Sequence, residues 1–324
     1  MDYLLLVVGL GLLLLAANYL VDSSVAIAQR AKISNFIIGL TIVGIGTSSP
    51  ELFVSISSAL NNSGDIAMGN VLGSNIANVF LILGVTAMIC PFAIERLQRR
   101  RDIPFLILAT IFVTIIASDS LVPGIKENTL NRLDGIVLLI LFVGYMGWTI
   151  IQKGKDPKKA LEEAEEEASS SLTGKNPVLL WAIAICSLAL LIYGGNMFLD
   201  SAKKLAAAWG MSDAVIGITI VAVGTSLPEL VTAIIAATKK APQLALGNVI
   251  GSNLFNLMFI LGTASTVKPL SFVSINYWDY AVMLLAAIML FVVVLTFKKD
   301  KMDRVEGVIF FTCYVAYIIY LLLR

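Results

Sequence analysis

The sequence contains no histidine and only three cysteines in 324 residues. Without histidine the chain lacks the commonest general base, the commonest transition-metal ligand and the usual physiological pH switch. Cys90, Cys186 and Cys313 are scattered through apolar stretches with no metal-ligand spacing, which assigns them to packing. Charge is scarce too: 14% of residues are Asp, Glu, Lys or Arg, against about 25% in ordinary soluble chains. A soluble globular domain is thereby excluded. The basic clusters are short and each flanks an apolar run, so they do not form a nucleic-acid surface.

What is abundant is hydrophobicity, at 58% of residues with a mean hydropathy of +0.89. It is organised in runs near the ~20 residues that cross a bilayer core as a helix. Ten are legible, at about 3–21, 35–60, 66–90, 103–118, 133–152, 178–199, 212–238, 243–267, 277–297 and 305–323. The first has no basic leader and no cleavage signature, so it reads as a retained span. The predicted fold class is an all-α integral membrane protein of ten transmembrane helices. Counting spans places 17 of the 23 Lys and Arg on one side, which predicts that side to be cytoplasmic. In this reading both termini face out and the connection 153–177 faces in, in a cell (inner or plasma) membrane.

The two halves repeat one another at an offset of 178 residues: 39–84 align without a gap on 217–262, with 23 of 46 positions identical. Gly-Ile-Gly-Thr-Ser-Ser-Pro-Glu at 44–51 returns as Ala-Val-Gly-Thr-Ser-Leu-Pro-Glu at 222–229, and Gly-Asn-Val-x-Gly-Ser-Asn at 69–75 returns at 247–253. The offset also pairs Asn18 with Asn196 and Asp22 with Asp200. Arg132-Leu-Asp134-Gly135 is echoed by Arg304-Val-Glu306-Gly307. The expected organisation is a five-span repeat over 1–152, a cytoplasmic linker over 153–177 and a second five-span repeat over 178–324. Five being odd, the second repeat enters the membrane inverted, the plan of many secondary transporters, whose ion site lies near the midplane.

Glu51 and Glu229 fall mid-span at matching places, where a lone carboxylate is costly. No Lys or Arg lies inside any of the ten runs, so no intramembrane salt bridge is available and the pair must bind a transported cation or be protonated. Asp22, Asp102, Asp134, Asp200, Asp279 and Glu306 sit at run ends and are expected at the interface. Pro50 and Pro228 precede the two glutamates, and a helix-interior proline frees the carbonyl four residues back, here Gly46 and Gly224, with Thr47 and Thr225 next in line. Broken helices at membrane depth are tolerated where they line a cavity. Thr47, Ser48, Ser74, Asn78 and their counterparts Thr225, Ser226, Ser252, Asn256 add further oxygens. An all-oxygen set suits Ca2+ and Na+ rather than zinc or copper.

With these motifs the chain resembles the cation/Ca2+ exchanger superfamily, in particular prokaryotic Na+/Ca2+ exchangers, whose two α-repeats look like the paired Gly-Thr-Ser-x-Pro-Glu and Gly-Ser-Asn-x-x-Asn segments here. The resemblance implies Ca2+/Na+ antiport. It implies Glu51 and Glu229 as central ligands, and the Thr47 and Thr225 carbonyls as completing the Ca2+ site. Ser48, Ser74, Ser226 and Ser252, with the carbonyls of Gly44 and Ala222, would form Na+ sites, and Asn78 and Asn256 would flank the centre. The first and sixth spans would be sliding gating helices. Some relatives carry aspartate at the place of Asn256. The 153–177 connection, with its acidic run Glu162–Glu167, is too short for a regulatory domain and reads as a solvated linker.

The chemistry left open is H+/Ca2+ exchange, since protons need only the carboxylates, and a passive cation channel. A hydrolase built on Ser48 or Ser226 lacks a base, so no enzyme is expected. No resident cofactor and no obligatory protein partner are expected; the partners are Ca2+, Na+ and the bilayer.

Overall fold

Apolar runs of this length become helices because only an internally hydrogen-bonded backbone is tolerated in a membrane. The computed structural model describes residues 1–119, 127–153, 170–211, 224–295 and 301–323. Its helices are α1 (Asp2–Ala31), α2 (Asn35–Thr47), α3 (Ser49–Leu60), α4 (Gly64–Ile89), α5 (Ile103–Ile116), α6 (Arg132–Lys153), α7 (Pro177–Ala208), α8 (Leu227–Thr238), α9 (Pro242–Val267), α10 (Tyr277–Leu295) and α11 (Arg304–Leu323). Six of them are long and apolar enough to cross a membrane, or seven when α2 and α3 count as one span bent by 44°. In the most apolar window of α4 and α9, 78% and 94% of residues are buried, against 28–33% for α1, α6, α7 and α11. The polar repeat motifs are therefore in the middle of the molecule and the most apolar helices around it.

Helices α1 and α7 overrun the apolar stretches predicted for them (3–21 and 178–199), reaching Ala31 and Ala208. The added turns, Asp22–Ala31 and Asp200–Ala208, hold no Gly or Pro and so nothing stops the helix where the hydrophobicity fades. Asp22 is consequently not a free interfacial residue: it is 8% exposed and ion-paired with Lys239. Asp102 also departs from the interfacial expectation. A π-helical turn over Gln98–Asp102 runs straight into α5 and buries it completely, its Oδ1 accepting from Arg101 Nε (2.7 Å) and the Tyr145 hydroxyl (2.7 Å). The Arg101 guanidinium lies 5.7 Å over the Trp148 ring, so the cluster ties α5 to α6. Removing one partner of a buried pair costs about 3–5 kcal/mol. Asp102→Asn is therefore expected to lower the thermal midpoint in detergent by several degrees, measured by a fluorescence melt. Asp134, Asp279 and Glu306 lie at helix starts, the last two also buried at 6% and 1% exposed. Each accepts a main-chain N–H three residues back, from Asn131, Asn276 and Asp303 respectively, as reciprocal N-terminal caps do.

Two short strand pairs mark opposite ends of the bundle. Strand β1 (Phe92–Ala93) follows α4 and pairs antiparallel with β4 (Lys301–Met302), which precedes α11. Strand β2 (Asn128–Leu130) precedes α6 and pairs with β3 (Leu270–Phe272), which follows α9. The registers correspond: Phe92↔Met302 and Ala93↔Lys301 on one side, Leu270↔Leu130 and Ser271↔Thr129 on the other. Each half lends a strand to its counterpart in the other. The glycine contacts follow the same exchange, Gly84 backing onto Gly307 and Gly262 onto Gly135.

Candidate functional site

Proline has no N–H to offer the preceding turn, and the helix breaks where the sequence places it. Helix α2 ends at Thr47, Ser48 adopts φ −83°, ψ 10°, and α3 restarts with Pro50 and Glu51 in its first turn. The second copy repeats this, with Ser226 at φ −90°, ψ 10° before Pro228 and Glu229. The turns that follow also match, Asn62 and its counterpart Lys240 both being left-handed at φ 58° and 60°. Each glutamate thus sits at the positive end of a half-helix, which favours an anion. Both carboxylates are 1% exposed. Among the described residues no ion pair involves either of them.

The two copies interlock at this point. Ser48 Oγ donates to Glu229 Oε1 (3.0 Å), Thr47 Oγ1 to Asn248 Oδ1 (3.2 Å) and Ser252 Oγ to the Gly44 carbonyl (3.3 Å). Asn78 Nδ2 donates to Asn253 Oδ1 (2.9 Å), and Asn256 Nδ2 to Asn75 Oδ1 (3.3 Å). These last two bonds exchange under the 178-residue offset. Asn70 Nδ2 reaches Ser55 Oγ (3.1 Å) and the Glu51 carbonyl (3.3 Å). The equivalent of Ser55 is Ala233, and the equivalent amide, Asn248, turns to Thr47 instead.

Several oxygens in this cluster are buried with no hydrogen-bond partner among the described residues: Glu51 Oε2, Glu229 Oε2, Asn78 Oδ1, Asn256 Oδ1, Ser74 Oγ and Ser226 Oγ. Buried acceptors left empty cost a few kcal/mol each, and hard cations are the species that would occupy such a set. Among the described residues no group of three or more Asp, Glu, Cys or His side chains is gathered for a metal. The site therefore offers two carboxylates and neutral oxygens. A cavity of about 670 Å³ opens beside it. Its walls run from Pro50, Ser74 and Thr225 at the broken helices to Ile66 and Asp200. Helix α4 starts two residues before Ile66, and there Gly64 packs on Ser271 of β3, so the cavity faces the β2–β3 end.

Of the predicted ligands, Glu229, Ser48, Thr47, Gly44 and Ser252 are drawn together by direct bonds, and Asn78 and Asn256 by the amide cross. Ser74 and Thr225 line the cavity, and Ala222 lies outside the described residues. The amides of Asn70, Asn75, Asn248 and Asn253 are part of the cluster but were not among the predicted ligands. The signal for them was present, since all four belong to the repeated Gly-Asn-Val-x-Gly-Ser-Asn segment.

The family model described as sodium/calcium exchanger protein matches residues 1–151 and 179–323. The inner membrane protein YrbG of Escherichia coli is 36% identical over 295 residues, covering 88% of this chain and 86% of that one. The sodium/calcium exchanger MaX1 of Methanosarcina acetivorans is 31% identical, covering 99% of this chain and 98% of its own. Among solved structures, the sodium-calcium exchanger NCX_Mj, soaked with Na+ and Ca2+, superposes with a TM-score of 0.82 at 32% identity, covering 98% of this chain and 97% of that one.

Proposed function

The chain belongs to the sodium/calcium exchanger family of multi-pass membrane proteins, and we propose that it is a secondary antiporter exchanging Ca2+ for Na+ by alternating access. The observation that carries this reading is the duplicated pair of buried glutamates, which among the described residues have no basic partner and are ringed by neutral oxygens without a hydrogen-bond partner. Glu51 and Glu229 neutralise one Ca2+. When it leaves, Na+ ions take its place on the same carboxylates and on Ser48, Ser74, Ser226 and Ser252, with the carbonyls of Gly44 and Ala222. The carbonyls of Thr47 and Thr225 complete the Ca2+ shell, and Asn78 and Asn256 hold the centre. An empty site would keep two bare anions in the membrane, so the unloaded carrier does not reorient. That penalty is what couples the two ions.

The architecture in this reading is ten transmembrane helices in two inverted five-helix repeats, with α1 and α7 as the sliding elements. The exchanged strand registers support the inversion. The β1–β4 end carries Arg96, Arg99, Arg100, Arg101, Lys239, Lys240 and Lys301, which makes it the cytoplasmic side of the cell membrane. The cavity at the opposite end is then the extracellular entrance, and both termini lie outside.

The competing reading is H+/Ca2+ exchange on the same scaffold; the density of Ser, Thr and Asn oxygens favours Na+. Uptake of radiolabelled Ca2+ into vesicles loaded with Na+ is expected to rise steeply over that into vesicles loaded with K+. A pH gradient of equal size should leave uptake near background. Uptake that follows the pH gradient and ignores Na+ would replace Na+ by H+ as the counter-ion.

A further inference from the structure

Equivalent positions of two equal repeats would have equal surroundings, and Asp22 and Asp200 do not. Asp22, on α1, is 8% exposed. Its Oδ1 lies 2.6 Å from Lys239 Nζ, just past the end of α8, and the same ammonium donates to the Asn18 carbonyl at 3.1 Å. Ser171 Oγ donates to Asp22 Oδ2 (3.0 Å) and Ser170 Oγ to the Asp22 carbonyl (2.8 Å). About two turns on, Thr173 Oγ1 donates to Gln29 Oε1 (3.0 Å) and Arg30 Nη1 to the Lys175 carbonyl (3.2 Å). The tail of the connection between the repeats is thus stitched along α1, at the β1–β4 end.

Asp200, on α7, has a side chain that is 68% exposed and pairs at 3.8 Å with Lys203 on its own helix. It lines the cavity together with Asn196, the counterpart of Asn18. The counterpart of Lys239 is Asn61, an exposed neutral residue. If α7 closed over the cavity as α1 closes the other end, it could not form this ion pair. We propose that Asp22–Lys239, buttressed by Ser170 and Ser171, is a one-sided latch that closes the β1–β4 end and biases the protein toward the conformation open at the β2–β3 end. The proposal rests on the alternating-access reading above.

Spin labels at Ile66→Cys and Lys203→Cys, two residues that line the cavity on α4 and α7, with the three native cysteines replaced, report its opening in the full-length protein in liposomes. Pulsed dipolar spectroscopy then gives the ratio of open to closed distances without any ion gradient. Lys239→Asn, which copies the residue of the other repeat, is expected to shift that ratio about five-fold toward closed, the upper range for a partly exposed pair. Asp22→Asn, which keeps the serine bonds, should shift it in the same sense. The exchanged pair Asp22→Lys with Lys239→Asp should restore most of it. Two distance populations with an unchanged ratio in both single variants would overturn the latch alone. So would an exchanged pair no better than Lys239→Asn. One distance in the parent, insensitive to Na+ and Ca2+, would overturn the alternating-access reading and the latch with it. Loss of Na+ coupling with the shift intact would leave the latch standing and remove only the choice of counter-ion.

Discussion

Glu51→Gln and Glu229→Gln are each expected to abolish Ca2+ exchange while the protein still folds. Glutamine keeps the length of the side chain, and at position 229 its amide oxygen can still accept from Ser48 Oγ, which now lies 3.0 Å from Glu229 Oε1. What goes is one of the two carboxylate charges that the described residues offer to a divalent cation. A site with a single carboxylate leaves a net positive charge on bound Ca2+ at membrane depth, where each uncompensated charge costs at least about 3 kcal/mol. That corresponds to more than a hundred-fold loss of affinity. Folding should not suffer, because the substitution removes a buried charge that lacks a basic partner, and such charges are a burden on the folded state. Two measurements separate the effects. Vesicle uptake of radiolabelled Ca2+ should fall to background, and the rise in thermal midpoint that Ca2+ gives the parent by binding the native state should vanish. The midpoint without Ca2+ should stay level or increase. Normal uptake in either variant would remove that glutamate from the site.

The glutamates could be picked out from the sequence because their chemistry is conspicuous there: an acid mid-run, after a proline, twice. The break at Ser48 and Ser226 was equally legible, since a missing N–H has one structural consequence. The asparagine cross was harder to read. Ser74 and Asn78 stand out as oxygen-bearing residues repeated at Ser252 and Asn256, while Asn75, three residues before Asn78 and on the same helical face, has no local signal of what it meets. The helix passes into a π-helical stretch over Asn78–Leu83, and its counterpart does so over Phe255–Ile260. Asn75 lies in the α-helical part before that stretch, and its partner Asn256 is 181 residues on, in the other copy. Helices α1 and α7 run past their apolar stretches because hydropathy ends where the apolar residues do, whereas the backbone continues until a breaker or a cap. Asp22 was thereby placed at a boundary when its neighbours, Lys239 and Ser171, come from segments more than a hundred residues away. Contacts of that range carry no local signature.

Gly247→Val is expected to eliminate folded protein, whereas Gly69→Ala, at the matching position of the first repeat, should leave its yield almost unchanged. A Cβ added at Gly247 would collide with the Phe36 carbonyl oxygen and lie 2.9 Å from Leu40 N; one turn on, at Gly251, it would collide with the Leu40 carbonyl oxygen. All of these are backbone atoms of α2, which cannot swing aside as a side chain could. The paired glycines, four residues apart, are what let α2 and α9 touch along their backbones, the close approach small residues provide in membrane helices. Prising the helices apart would also pull Thr47 from Asn248 and Gly44 from Ser252, so the packing defect and the loss of the site are one event. A penalty beyond about 4 kcal/mol is expected. At Gly69 the nearest described atom to an added Cβ is Ile275 Cδ1 at 3.7 Å, and Gly73 meets nothing within 4 Å among the described residues. Both glycines line the cavity instead. Size-exclusion chromatography of fluorescent fusions in detergent distinguishes the outcomes. The parent and Gly69→Ala should give a single sharp peak of similar height, and Gly247→Val only aggregate. A sharp peak for Gly247→Val would mean that α2 and α9 do not need this contact, and that the observed closure of the two helices is not what holds the ion site together.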